Sequence, residues 1–275
     1  MYKLKTEKKL AVLAALVEGN GIRSIERMTG VNRNTIMSLL YRVGGGCDRM
    51  LDRRMRNLEC RNLQVDEIWC YVGKKKGNMT EDEKKARPDL GDQFVFVALD
   101  SDTKLVPVHR IGKRNAVNAI RFMQSLESRL ANHVQITTDA FQPYFRAVQK
   151  AFRGNVDYAQ LHKHYITNGE RRYSPPAISG VFHLIMTGKP RLKGISTSYV
   201  ERQNLTMRMQ MRRFTRLTNG FSKKLINLKA ACALHFANYN FCRIHQTIRC
   251  TPAMAAGITN RLWSLEDLLE REIAY

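Results

Sequence analysis

Residues 63–72 read LQVDEIWCYV, a β-branched and aromatic run broken by two adjacent acids, Asp66 and Glu67. Runs of this composition predict a strand. Alternation puts Asp66 on one face with Ile68, Cys70 and Val72, and Glu67 on the other with Trp69 and Tyr71. A carboxylate on an apolar face is costly unless it is paired or bound to a metal, and that cost selects Asp66 over Glu67 as the functional acid.

Outward from this strand, Phe94–Leu99 and Lys104–Arg110 complete an antiparallel meander, with a charged, mobile connection over 73–92. Asn115–Leu130 has helical spacing, Val134–Thr138 is a buried strand ending at Asp139, and a helix runs from Pro143 to about Phe152. Tyr158–His164 predicts a fifth strand. Thr167–Thr197, rich in Gly, Pro and basic residues, predicts an irregular connection, and helices follow over Tyr199–Arg213 and Ser222–Asn240. Right-handed crossovers would set the fourth strand beside the first, giving an α/β fold with a mixed five-stranded sheet and flanking helices. Asp66 and Asp139 then project from one region of that sheet. Glu201, near the start of the Tyr199 helix, can pack across it.

The first 46 residues predict an all-α unit. Its helices, Glu7–Glu18, Ile22–Thr29 and Arg33–Val43, are separated by Gly19-Asn20-Gly21 and Gly30-Val31-Asn32, and Gly44-Gly45-Gly46 closes the unit. Two short helices joined by a glycine turn after a supporting helix form the helix-turn-helix pattern. On that reading Asn32, Arg33, Asn34 and Thr35 open the recognition helix, with Ser38 and Arg42 one and two turns on, and Asn and Arg suit adenine and guanine edges. The alternative is a plain three-helix bundle. Residues 47–62 read as a basic linker, lying on DNA or on the next domain, and 63–275 as the sheet domain with its C-terminal helices.

Among 275 residues, 46 Lys and Arg face 24 Asp and Glu, a formal net charge of +22. Basic balance of this degree favours phosphate contacts and makes nucleic acid the expected partner. The bases are dispersed along the chain, unlike a membrane-surface segment, and no apolar run reaches the roughly 20 residues that span a bilayer. The six cysteines form no CxxC pair, and Glu7 and Glu18 bracket an N-terminal stretch with amphipathic helical spacing. A reduced, cytoplasmic, nucleoid-associated protein is expected.

Three convergent carboxylates can hold two magnesium ions roughly 3.5–4 Å apart, with manganese as a substitute. These ions take oxygen ligands, so Asp66, Asp139 and Glu201 need no cysteine or histidine cage. Singly, Asp139 could cap a helix and Glu201 could be a first-turn glutamate. Their order on the sheet favours a shared site. Cys232-x2-His235 and Cys242-x2-His245 have zinc-like spacing, but Cys232 and His235 fall in an apolar helix, where core packing is expected. His162 or His164 could approach a metal or phosphate, a sheet-edge histidine being the plainer reading.

VDEIWCYVGKKKGN (65–78), TTDAFQPY (137–144), SYVERQNLTMRMQMRRFTRLTNGFSKK (198–224) and NYNFCRIHQTIRCTPAMAAGI (238–258) resemble catalytic-core segments of insertion-sequence-one family transposases. The resemblance implies a DDE core of RNase H-like fold, with Asp66, Asp139 and Glu201 as its acids, magnesium as cofactor, and transposon-end and target DNA as partners. Arg208, two turns after Glu201, falls where such enzymes carry a basic residue for the transposon end. Arg212, Arg213 and Arg216 follow as further DNA-contact candidates. Synapsis of two ends implies a homodimer or larger assembly. The rivals are a structure-selective nuclease of the same fold and a domesticated DNA-binding repressor.

Overall fold

The strand expected at 63–72 is β1 (Asn62–Val72) in the computed structural model, which describes residues 4–166, 177–215 and 218–270. It runs antiparallel to β2 (Gly91–Asp100), which pairs antiparallel with β3 (Val108–Gly112), so the meander is as expected. On its other side β1 pairs in parallel with β4 (Gln135–Asp139), and β4 with β5 (Asp157–Ile166).

Among the described residues the sheet has six strands and not five, in the order β3-β2-β1-β4-β5-β6, because β6 (Ala177–Thr187) adds antiparallel to β5. Sequence reading assigned this stretch to an irregular connection. Its AISGVFHLIMT run is apolar at both parities and so lacks the alternation that marks a half-buried strand. Residues 167–176 of that connection lie outside the described residues.

Helices cover both faces. On the face of Glu67 and its β2 partner Phe96, α5 (Ala116–Glu127) contributes Phe122 and α6 (Pro143–Phe152) contributes Tyr144, with ring centroids 5.7 and 6.5 Å from Phe96. On the face of Asp66, α7 (Ser198–Gln210) crosses β1, and Phe236 of α8 (Leu225–Ala237) lies against His109 of β3 at 4.5 Å. The connection over 73–92 is ordered in part: Thr80 and Glu83 form a capping box that starts the short helix α4 (Glu81–Ala86).

The N-terminal helices are α1 (Thr6–Val17), α2 (Ile22–Thr29) and α3 (Arg33–Arg54). Gly30, at φ +69°, ends α2, and the Asn32 side chain accepts the Asn34 N–H at 2.9 Å to start α3. Contrary to expectation, Gly44-Gly45-Gly46 does not end this helix, which runs 22 residues to Arg54 and takes in the first part of the expected linker. The reason is packing. A Cβ on Gly44 would collide with the Ala230 backbone, so the bare glycine lets α3 lie directly on α8. One continuous apolar core joins these helices to the sheet. At the far end of α3, Arg129 donates to Asp52 Oδ1 at 2.7 Å and to the Met55 carbonyl at 3.2 Å.

Candidate active site

Gln64 precedes Asp66 by one pleat on the same face and is buried. Its Oε1 accepts the backbone N–H groups of Tyr199 at 2.8 Å and Val200 at 3.2 Å, which are donors left open in the first turn of α7. One turn on, Asn204 Nδ2 donates to Asp66 Oδ2 at 2.8 Å. The strand thus holds the helix at two points, and Glu201 lies between them.

Val65 of β1 stands level with Thr138 of β4, so Asp66 and Asp139 come next in register on adjacent parallel strands. There β4 stops, while β1 continues to Val72, where it bridges Ser222. Ligand crevices in α/β sheets form beyond such strand ends. Side chains from both faces meet at this opening, and one carboxylate oxygen from each of Asp66, Glu67 and Asp139 lies within 4.8 Å of the others.

Glu67 is the acid that sequence reasoning set aside. It points to the opposite face, as the alternation required, but α6 covers that face and its side chain is only 2% exposed. The burial argument therefore applies to both acids. A signal was present, since LQVDEIWCYV is apolar at both parities, the pattern of a strand covered on both sides.

Burial and the charge of Asp139 push the Asp66 carboxyl up to about 6, against hydrogen bonds from the Glu67 N–H and Asn204 that favour the ionised form. Burial and Asp139 likewise raise Glu67 to about 7, against the facing Tyr144 hydroxyl and Arg114. Asp139 is itself raised, chiefly by burial, with the Phe141 N–H, Arg114 and His162 opposing. Arg114 bridges the group, its Nε 3.2 Å from Glu67 Oε2 and its Nη2 3.2 Å from Asp139 Oδ2, with its guanidinium 3.9 Å from the centre of the Phe141 ring.

Glu201 stands outside the 4.8 Å group. Its side chain is 44% exposed, pairs with Lys163, and accepts the Thr197 hydroxyl at 2.6 Å. Its negative charge nevertheless acts on both Asp66 and Asp139. Two of the three expected acids are thus in contact range, and the third is close by but turned to Lys163.

Seven side-chain polar atoms among the described residues are buried without a hydrogen bond; two of them, His162 Nε2 and Asn204 Oδ1, lie beside these acids, while the Tyr144 hydroxyl and the Glu67 carboxylate face each other. Buried polar groups are ordinarily satisfied, so this pair points to a ligand. An all-oxygen carboxylate set with mutually raised pKa values fits a hard divalent cation. By contrast, Cys232 and His235 are core side chains of α8, His235 lying edge-on to Phe236. His164 packs against Phe182 of β6.

Asn32, Arg33, Asn34, Thr35, Ser38 and Arg42 are exposed along the first turns of α3. Arg33 and Asn34 also line a cavity of about 1020 Å³, whose other walls include Arg23, Arg212, Lys223 and Lys224. Arg208 is half-buried on α7, and its charge acts on Cys70, which shares the Asp66 face of β1. The expected helix over 199–213 ends at Gln210, and Arg212–Phe214 forms a separate 3₁₀ turn. Arg213 turns inward, donating to Ser222 Oγ at 2.8 Å and to the Met37 sulfur at 3.8 Å. It joins α3 to the α7–α8 connection and lines the same cavity as Arg33 and Arg212. Arg216 lies outside the described residues. No helix among the described residues is long and apolar enough to cross a membrane. No family model matches the chain, and no curated protein does.

Proposed function

We propose that the chain is a DDE transposase, with an RNase H-like catalytic core and a helix-turn-helix unit that reads transposon ends. The observation that carries this reading is the register of Asp66 beside Asp139 on parallel strands, with the helix bearing Glu201 fastened across β1. An antiparallel meander followed by two parallel strands, in the order β3-β2-β1-β4-β5, supports the same core.

Asp66, Asp139 and Glu201 would hold magnesium or manganese. When bound, such an ion supplies positive charge that activates an oxygen nucleophile and stabilises a leaving 3′ oxygen. The chain's own groups position the substrate. Lys163 and Thr197 orient Glu201, while Arg212, Lys223 and Lys224 offer phosphate contacts, with Arg208 as a further candidate. Arg33 and Asn34 offer base-edge contacts from the start of α3. In the first reaction water attacks the phosphodiester at the element's end, forming a 5′ phosphate and releasing a 3′ hydroxyl. In the second, that hydroxyl attacks a target phosphodiester, forming one P–O bond as the target's own 3′ oxygen leaves. Joining two ends calls for a homodimer or larger assembly.

The test is joining of a labelled end duplex to a supercoiled target in magnesium. Asp66→Asn, Asp139→Asn and Glu201→Gln should each abolish joining while retaining end binding. Full joining by any variant removes that residue from the catalytic set. Cleavage without joining would identify a nuclease, and end binding with no magnesium-dependent product a repressor.

A further inference from the structure

We propose that Glu67 is a direct ligand of the cation held by Asp66 and Asp139, an assignment outside the Asp-Asp-Glu pattern. The inference rests on reading that site as a metal centre. Three observations lead to it. The carboxylates of Asp66, Glu67 and Asp139 share a 4.8 Å neighbourhood that Glu201 does not enter. Glu67 reaches it from a side chain only 2% exposed, with Oε2 on Arg114 and the Tyr144 hydroxyl facing the carboxylate. Independently, Asn204 is 8% exposed and spends its amide N–H on Asp66, which leaves its Oδ1 buried and unpaired beside the same acids.

A buried carboxylate set beside two others is costly in a purely structural role. An octahedral cation removes that cost, because magnesium and manganese accept several carboxylate oxygens and keep water in their remaining positions. Arg114 meanwhile places a single positive charge on Glu67 and Asp139, less than three converging carboxylates require. The first ion is thus set by β1 and β4 alone. Glu201, on α7, is left to act from the open side, where Lys163 holds it.

Manganese binding to the full-length chain without DNA tests this, by calorimetry and by the electron paramagnetic resonance of free Mn²⁺. Glu67→Gln should weaken the first ion by about tenfold or more, and Glu201→Gln by far less. A Glu67→Gln protein that binds manganese as the wild type does overturns the proposal. Should that variant fail to fold, Glu67→Asp, which keeps the charge but shortens the side chain, decides: it should weaken manganese binding severalfold more than Glu201→Asp does, and wild-type affinity in Glu67→Asp overturns the proposal. The two readings fail separately. Loss of manganese affinity in Glu67→Gln, with no joining by the wild type, defeats the transposase and keeps the ligand. Joining by the wild type, with unchanged affinity in Glu67→Gln, does the reverse.

Discussion

Replacing Glu67 by Gln removes a buried charge that the metal-free protein accommodates poorly, and the size of the effect follows from its pKa. The carboxyl is raised from 4.5 to about 7 by burial and Asp139. The folded state therefore holds the proton more tightly than the unfolded chain. The resulting stabilisation is fully present below 4.5 and is lost as pH rises through about 7. At about 1.36 kcal/mol per pKa unit, the ionised acid costs the folded state on the order of 3 kcal/mol. The buried Gln amide gives back roughly 1 kcal/mol of that gain through imperfect hydrogen bonding. A net stabilisation of about 2 kcal/mol at pH 8 remains, or a Tm higher by roughly 4–8 °C. Urea unfolding in EDTA at pH 4 and pH 8 measures it. Asp66 and Asp139 are raised too, so the wild-type curve alone mixes three acids, whereas the difference between the two proteins isolates Glu67 and its coupling to them. A gap between variant and wild type that is the same at both pH values would refute the reasoning.

Two further outcomes bear on the N-terminal helices. Gly44→Ala should destabilise the protein by roughly 2 kcal/mol in urea unfolding, because the collision with the Ala230 backbone outweighs alanine's better helix propensity. Asn34→Ala should leave stability nearly unchanged, since Asn34 contributes only its backbone N–H to the Asn32 cap. The same change should cost about 1–3 kcal/mol in binding to the cognate end and little on scrambled DNA, as read by competition gel shifts.

The parallel pairing of β1 with β4 was legible because three short strands, a helix and a buried strand leave few right-handed arrangements. Asp66 and Asp139 followed from it. Gly44-Gly45-Gly46 misled because glycine has two uses, as a helix stop and as a site of close helix approach. Only the presence of α8, some 180 residues later, decides between them. Glu67 was missed for a related reason. Strand alternation gives only the face of a side chain; that α6 covers this face was carried by the run being apolar at both parities, not by its alternation. Arg114 and Asn204 gave no local signal, since their roles depend on β1 meeting α7 and the start of α5.

The contrast between the acids and the rest of the chain has a physical reason. Carboxylates alone would repel the phosphates that a charge of +22 attracts. Within the site that repulsion is reduced in two ways: the acids raise one another's proton affinity, and Arg114 and Lys163 each neutralise one side of the group. These cations also occupy the carboxylates they shield. A divalent ion bound by Asp66, Glu67 and Asp139 would take over the role of Arg114, whose guanidinium also stacks on Phe141.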